Sequence, residues 1–220
     1  MPHGLLTMIG QRQIVPPVFL AGVGWLAGLR LRARGRPARG KVLLVANHVS
    51  WLDILALAGS ARATFVAKDS LAGHGFLKWL CEQNDTIFIA RDQRGTVGEQ
   101  VEQVRTALAA RRLVVFPEGT TGNGRQLDPF KSSLLSAAER IEAGDAALSI
   151  QPVALDYRQA AQIAWFGEEG GLHNVLRVLG RLRSTDLTVH YLRPLRGEEL
   201  RDRKTMAKAA QEAIAAALRL

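Results

Sequence analysis

An imidazole, a hydroxyl and a carboxylate stand close together in NHVSWLD, Asn47 to Asp53, as His48, Ser50 and Asp53. A carboxylate that takes one imidazole N–H fixes the tautomer and leaves the other ring nitrogen free to act as a base. Five residues apart on a continuous helix, His48 and Asp53 would be separated by about 140°. They meet only if His48 precedes the helix and Asp53 lies in its first turn. The sequence permits that geometry, because an apolar strand ends near Ala46 and Ser50 can serve as the N-cap. The alternative is a satisfied core histidine beside a capping acid, and the spacing alone leaves both open. Nucleophilic catalysis by Ser50 is a third reading, but no G-x-S-x-G elbow surrounds it, and a histidine two positions earlier points across the chain from it.

A second chemical stretch, PEGTTGNGR at Pro117 to Arg125, sets Glu118 directly after the apolar run RLVVF. It lacks the Gly-Lys-Ser/Thr ending of a nucleotide P-loop, so ATP binding is unsupported. Its backbone N–H groups could cradle an anion or a developing oxyanion, or it could be an ordinary glycine-rich turn. His3, His74, His173 and His190 form no metal-ligand spacing, and no metal is expected. Cys81 reads as a small buried hydrophobe; as the single cysteine it allows no internal disulfide and fits a reducing compartment.

The elements that must position these loops alternate. LRLRAR, Leu29 to Arg34, has edge-strand alternation and is followed by the strand KVLLVA. A helix is expected from about Trp51, a strand at Ala63–Ala67, a helix from Gly75 to Gln83 and a strand at Thr86–Ala90. Val97, Val101, Val104 and Leu108 mark one face of an amphipathic helix over Gly95 to Arg112. Then come the strand Arg112–Phe116, a helix near Ser132–Glu142, strands at Ser149–Leu155 and Asp186–Tyr191, and a closing helix lined by Met206, Ala210, Ala213, Ile214 and Ala217. This order predicts an α/β fold, a single layered domain with a largely parallel mixed sheet flanked by helices. Chemistry in such sheets collects in loops beyond the carboxyl ends of the strands, where both stretches fall.

The domain is expected over residues 29–220, preceded by a membrane-associating segment at 1–28. Its apolar run, Ile14 to Leu29, would reach about 24 Å as a helix, short of a roughly 30 Å hydrocarbon core. Pro16 and Pro17 would start or kink such a helix. An interfacial helix and a buried core helix both fit. Of the net charge of +9, the excess lies at this end: residues 1 to 52 hold seven Arg or Lys and no acid, against 22 basic and 20 acidic residues beyond. That favours an anionic lipid surface. Nucleic acid is disfavoured, since Arg30, Arg32 and Arg34 have no interleaved aromatics and no reading element is present.

NHVSWLD, FIAR, FPEGTTGNGR with PFKSS, and QPVAL, in that order, resemble the glycerolipid acyltransferases of the lysophosphatidate (1-acylglycerol-3-phosphate) acyltransferase type, across Leu29 to Leu195. FPEGTT, PFKSSLL and IAWFGEE are most similar to the bacterial lyso-ornithine lipid acyltransferase branch. The resemblance implies O-acyl transfer from acyl-CoA or acyl-acyl carrier protein to a lysolipid hydroxyl, with no further cofactor. It also implies a peripheral or monotopic place at the cytoplasmic face of the inner membrane. By the same resemblance His48 is the general base and Asp53 holds and polarises it. Arg91 contacts the acceptor's anionic head, Glu118, Gly119 and Thr120 complete the acceptor pocket, and Pro152 shapes its wall; Lys68 and Gly75 match the pattern ahead of FIAR. The family's proline near His74 and Gly75, and its polar residue at Ala90, are missing here, which bears on the head group of the acceptor. Acyl transfer to another polar or amine acceptor, or a basic lipid-binding protein without catalysis, are the alternatives.

Overall fold

Central parallel strands are covered on both faces and therefore read as unbroken apolar runs. In the computed structural model, which describes residues 15–68, 86–89, 97–136, 138–139, 148–181 and 183–220, KVLLVA is such a strand: all of Val42 to Ala46 is buried. The chain order is α1 (Val15–Leu26), β1 (Leu29–Arg34), β2 (Lys41–Ala46), α2 (Leu52–Ala61), β3 (Ala63–Lys68) and β4 (Ile87–Ile89). It continues with α3 (Val97–Ala110), β5 (Arg112–Val115), a 3-10 turn (Ser132–Leu135), β6 (Leu148–Tyr157), α4 (Ala160–Ile163) and α5 (Gly171–Leu179). The last elements are β7 (Thr185–Tyr191), a 3-10 turn (Gly197–Leu200) and α6 (Arg203–Leu218).

Among the described residues the seven strands lie in the order β1-β7-β6-β2-β5-β3-β4. β6, β2, β5, β3 and β4 run parallel; β7 is antiparallel to β6, and β1 is parallel to β7. The expected largely parallel mixed sheet is thus present, and LRLRAR is the edge strand, its exposed arginines blunting an unpaired rim. Two strands separate it from β2, so the turn at Gly35–Gly40 is a crossover rather than a hairpin. Buried Gln151 fastens that crossover, taking the Ala38 N–H (2.8 Å) and donating to the carbonyls of Arg36 (3.2 Å) and Leu192 (2.7 Å).

One face of the sheet carries α1, α2, α4 and α5, with Leu20, Leu52, Leu55, Ile163, Val175 and Val178 in a common core. The other carries α3 and α6, through Val104, Leu108, Met206, Ala207 and Ala210. α6 starts at Asp202, whose Oδ1 accepts the N–H groups of Lys204 and Thr205, both at 2.8 Å. α1 spans 12 residues, and among the described residues no helix is long and apolar enough to cross a membrane. Its Leu20 is fully buried, so one side of the helix belongs to the core while the other stays open. The helix expected near Ser132 begins as the 3-10 turn, and the one expected at Gly75–Gln83 lies outside the described residues.

Candidate active site

β2 ends in the sheet interior, and the next residue must continue the ladder with its side chain. Asn47 does so: its Oδ1 accepts the Leu155 N–H at 2.7 Å and its Nδ2 donates to the Leu155 carbonyl at 3.2 Å. This amide clamp on β6 releases the backbone to turn at His48. The His48 N–H then donates to Glu118 Oε1 (2.7 Å), and the His48 carbonyl accepts from the Gly122 N–H (2.8 Å). The glycine-rich loop after β5 therefore grips the histidine by its backbone. Phe116, the residue after β5, stacks on the imidazole with centroids 4.0 Å apart and planes 13° apart.

α2 begins at Leu52, so His48 precedes the helix and Asp53 falls in its first turn, the arrangement the spacing required. His48 Nδ1 and Asp53 Oδ2 are 2.7 Å apart. The same Oδ2 accepts the N–H groups of Val49 (2.7 Å) and Ser50 (3.0 Å), while Oδ1 accepts the Tyr157 hydroxyl (2.6 Å). Asp53 is fully buried, and these four donors offset the cost of burying its carboxylate. Asp53 is both the orienting partner of His48 and the acid that ties up the helix start, so the two readings of the spacing describe one residue. Ser50 is not the N-cap: no side chain caps the helix at Trp51, and Ser50 Oγ only accepts the Leu52 N–H at 3.4 Å. Ser50 is also completely buried, which removes it as a nucleophile.

Burial and the neighbouring carboxylate push the Tyr157 hydroxyl well above the usual phenol range, so it serves Asp53 as a donor. Burial also raises the Glu118 carboxyl above the usual carboxylate range, opposed by the N–H donors of Asp128 and His48. Glu118 spends Oε1 on His48 and Oε2 on the Asp128 N–H (2.9 Å). It is a clasp between two loops as well as a wall of the site. The loop amides of Gly119, Gly122, Arg125, Gln126 and Asp128 all donate to partners within the protein, so an oxyanion cradle cannot be drawn from those five.

His48 is 18% exposed and opens on a cavity of about 60 Å³ lined by Asn47, Glu118, Gln126, Leu155 and Tyr157, with Leu218 at the end of α6 and Leu220 just after it. Among the described residues its Nε2 has no hydrogen-bond partner. Of the other residues expected in the site, Glu118 lines this cavity, whereas Gly119 and Thr120 do not. Pro152 is buried in mid-β6 opposite Val45, outside the lining, three positions short of Leu155. Lys68 closes β3, and Arg91 and Gly75 lie outside the described residues. Sequence reasoning missed Tyr157, Phe116 and the Asn47 clamp. The first two signal themselves only as the residues flanking strand ends on the same edge of the sheet.

A buried carboxylate, a half-open imidazole and a cavity thus stand together at the carboxyl end of the parallel strands, where chemistry in such sheets collects. The model of the acyltransferase family matches residues 30–156, which include Asn47, His48, Asp53, Phe116 and Glu118 but not Tyr157, and the chain belongs to that family of enzymes. It is 33% identical over 194 residues to the lyso-ornithine lipid O-acyltransferase of Rhodobacter capsulatus, covering 86% of this chain and 70% of that one. It is 36% identical over 207 residues to the protein of that name from Pseudomonas aeruginosa, covering 88% and 76%. The fold matches the crystal structure of the 1-acyl-sn-glycerophosphate (LPA) acyltransferase PlsC from Thermotoga maritima, with a TM-score of 0.63 at 19% identity over 94% of this chain and 78% of that one.

Proposed function

We propose that this enzyme transfers a fatty acyl group from an acyl thioester, carried by CoA or acyl carrier protein, to the hydroxyl of a lysolipid, with His48 as general base. The observation that carries the reading is the 2.7 Å contact between His48 Nδ1 and the fully buried Asp53. With Nδ1–H committed to the carboxylate, the Nε2 lone pair faces the cavity. It takes the proton of the acceptor hydroxyl as the oxygen attacks the thioester carbonyl carbon. The tetrahedral intermediate collapses with cleavage of the C–S bond, and the imidazolium returns its proton to the departing thiolate. A thioester is already activated, so a base, orientation and charge stabilisation suffice.

Lyso-ornithine lipid is the first acceptor to test, because relatives named for it align over more than four-fifths of this chain. Arg91 is assigned to the acceptor's anionic head group and Glu118 to the loop that shapes its entry. The cavity takes the reacting hydroxyl, and the acyl chains remain outside it in the lipid phase at the cytoplasmic face of the membrane. The test is incubation of purified protein with acyl-CoA and acyl-acyl carrier protein against lyso-ornithine lipid and lysophosphatidate, with products identified by mass. Folded His48→Ala should lose about 10²-fold or more in turnover. Near-normal turnover in that variant, or thioester loss independent of acceptor, would reject the assignment.

A further inference from the structure

α5 is an amphipathic helix with a second apolar strip that is exposed. At 100° per residue, Leu172, Leu176 and Leu179 fall within an arc of about 60°, whereas the core-facing Asn174, Val175 and Val178 occupy a different arc. The three leucines are 69%, 61% and 49% exposed, and Phe166, in the loop leading into the helix, is 53% exposed. Nine of the ten exposed large hydrophobics among the described residues lie on α1, β1, α5 or this loop. α1 contributes Val18, Phe19, Trp25 and Leu26, the last two 61% and 78% exposed.

These residues share a side of the molecule, and Trp25 and Leu26 share an end of it with α5. Both helices pack on the same face of the sheet, where Leu20, Val175 and Val178 meet one core. β7 is antiparallel to β6, with Leu187 opposite Tyr157, and β1 starts beside it, with Leu29 opposite Thr185. The Thr185 N–H donates to the Gly28 carbonyl at 2.9 Å, so the chain leaving α5 meets the chain leaving α1. That junction is at the end of the sheet where β2 delivers His48. The loop that leads into α5 is tied there too, since the Trp165 N–H donates to the Val49 carbonyl at 3.0 Å.

From this placement we infer that α5 is a second bilayer contact, and that Phe166, Leu172, Leu176 and Leu179 enter the lipid beside the exposed residues of α1, setting the His48 end of the sheet against an anionic phospholipid surface. The inference rests on the lysolipid reading for its purpose. Charge selects this occupant: Arg30 and Arg32 are exposed where the edge strand leaves that end, Arg183 is exposed at the junction, and residues 1 to 52 hold no acid. A second copy would bring the same cations against them, whereas lipid phosphates neutralise them. Arg30 lies 5.2 Å over the Trp25 ring and donates to the Trp25 carbonyl (3.0 Å), a cation and an indole paired as at a headgroup layer. Within α5 there is no acidic residue; of the two acids in the loop before it, Glu169 is turned onto Arg177 and Asn174 and Glu168 is exposed.

Co-sedimentation with vesicles of phosphatidylcholine, alone and mixed with phosphatidylglycerol, tests this in the wild type and in Leu172→Ser/Leu176→Ser/Leu179→Ser. Because the three side chains are exposed, the triple variant should keep its circular dichroism spectrum and its turnover on detergent-dispersed acceptor. It should partition onto mixed vesicles at least about tenfold less and lose turnover on vesicle-embedded acceptor. The corresponding leucine-to-methionine variant should bind as wild type, and Leu176→Ser alone should show a several-fold loss, which decides the matter if the triple variant misfolds. Unchanged partition in the serine variants, while Trp25→Ser/Leu26→Ser abolishes it, would overturn the role of α5. So would a wild-type dimer that the serines dissociate without effect on partition. If the wild type acylates no lysolipid in detergent and the serine variants still lose vesicle binding, the acyl-transfer reading fails and the bilayer contact stands.

Discussion

Replacing Asp53 by asparagine separates the charge of the carboxylate from its shape. In the wild type Oδ2 accepts three N–H groups, from His48, Val49 and Ser50, and Oδ1 accepts the Tyr157 hydroxyl. An amide oxygen at the Oδ2 position can keep all three N–H donors, and the amide nitrogen then meets Tyr157, whose hydroxyl can reverse from donor to acceptor. Asp53→Asn should therefore fold, at a cost below about 2 kcal/mol, a few degrees in Tm for a domain of this size. Asp53→Ala instead strands four buried donors at about 1–3 kcal/mol each and should lose the native state.

What asparagine cannot do is stabilise the imidazolium formed as His48 takes the acceptor proton. A unit charge about 4 Å from another at an effective dielectric of 20 interacts by about 4 kcal/mol, which corresponds to about 10³-fold in rate. Turnover of lysolipid at saturating donor, with thermal unfolding followed in parallel by circular dichroism, checks both halves. A folded Asp53→Asn enzyme turning over within a few-fold of wild type would show that the negative charge has no part in the chemistry and that Asp53 only closes the helix start. An unfolded one would show that Tyr157 cannot reverse. Tyr157→Phe, which removes one donor from Asp53 and no charge, should cost only about tenfold in turnover.

Three further outcomes follow from the surroundings of the site. Glu118→Gln keeps one acceptor for two N–H groups, those of His48 and Asp128, so calorimetry should show a loss of about 1–3 kcal/mol, partly offset because burial disfavours the native charge. Gly124 has φ of +70°, and a Cβ there would lie 2.6 Å from Ala160 Cβ and 3.1 Å from Val49 Cγ1; Gly124→Ala should cost about 2–4 kcal/mol in urea unfolding. Glu169 is held down to about 2, first by its hydrogen bonds with Arg177, from an ordinary value of 4.5. A lowered folded value means that its contribution is complete above about pH 4.5 and disappears as pH falls towards 2. The Tm gap between wild type and Glu169→Gln should narrow over that window, and a gap that widens there would refute the sign.

The sequence made legible what depends on apolar runs and chain order. β2 and β5 each carry an unbroken hydrophobic run because helices cover both faces, and the loops after them had to lie side by side once those strands paired. His48 and Asp53 could be paired in advance because their contact is local and depends only on where α2 begins. Tyr157 could not, because it reaches Asp53 across 104 positions through the β2–β6 register, which no local pattern encodes. α5 escaped for a different reason. GLHNVLRVL has apolar residues on two adjoining arcs, so its periodicity is broader than a single core-facing stripe, and only the fold shows which arc is used. Val175 and Val178 make it a core helix, and Leu172, Leu176 and Leu179 make it an exposed apolar one at once. α1 shows the same doubling, with Leu20 inward and Trp25 and Leu26 outward, which is why its apolar run fitted both an interfacial and a buried helix. A helix that must hold to a sheet on one side and to lipid on the other has both patterns written over the same residues.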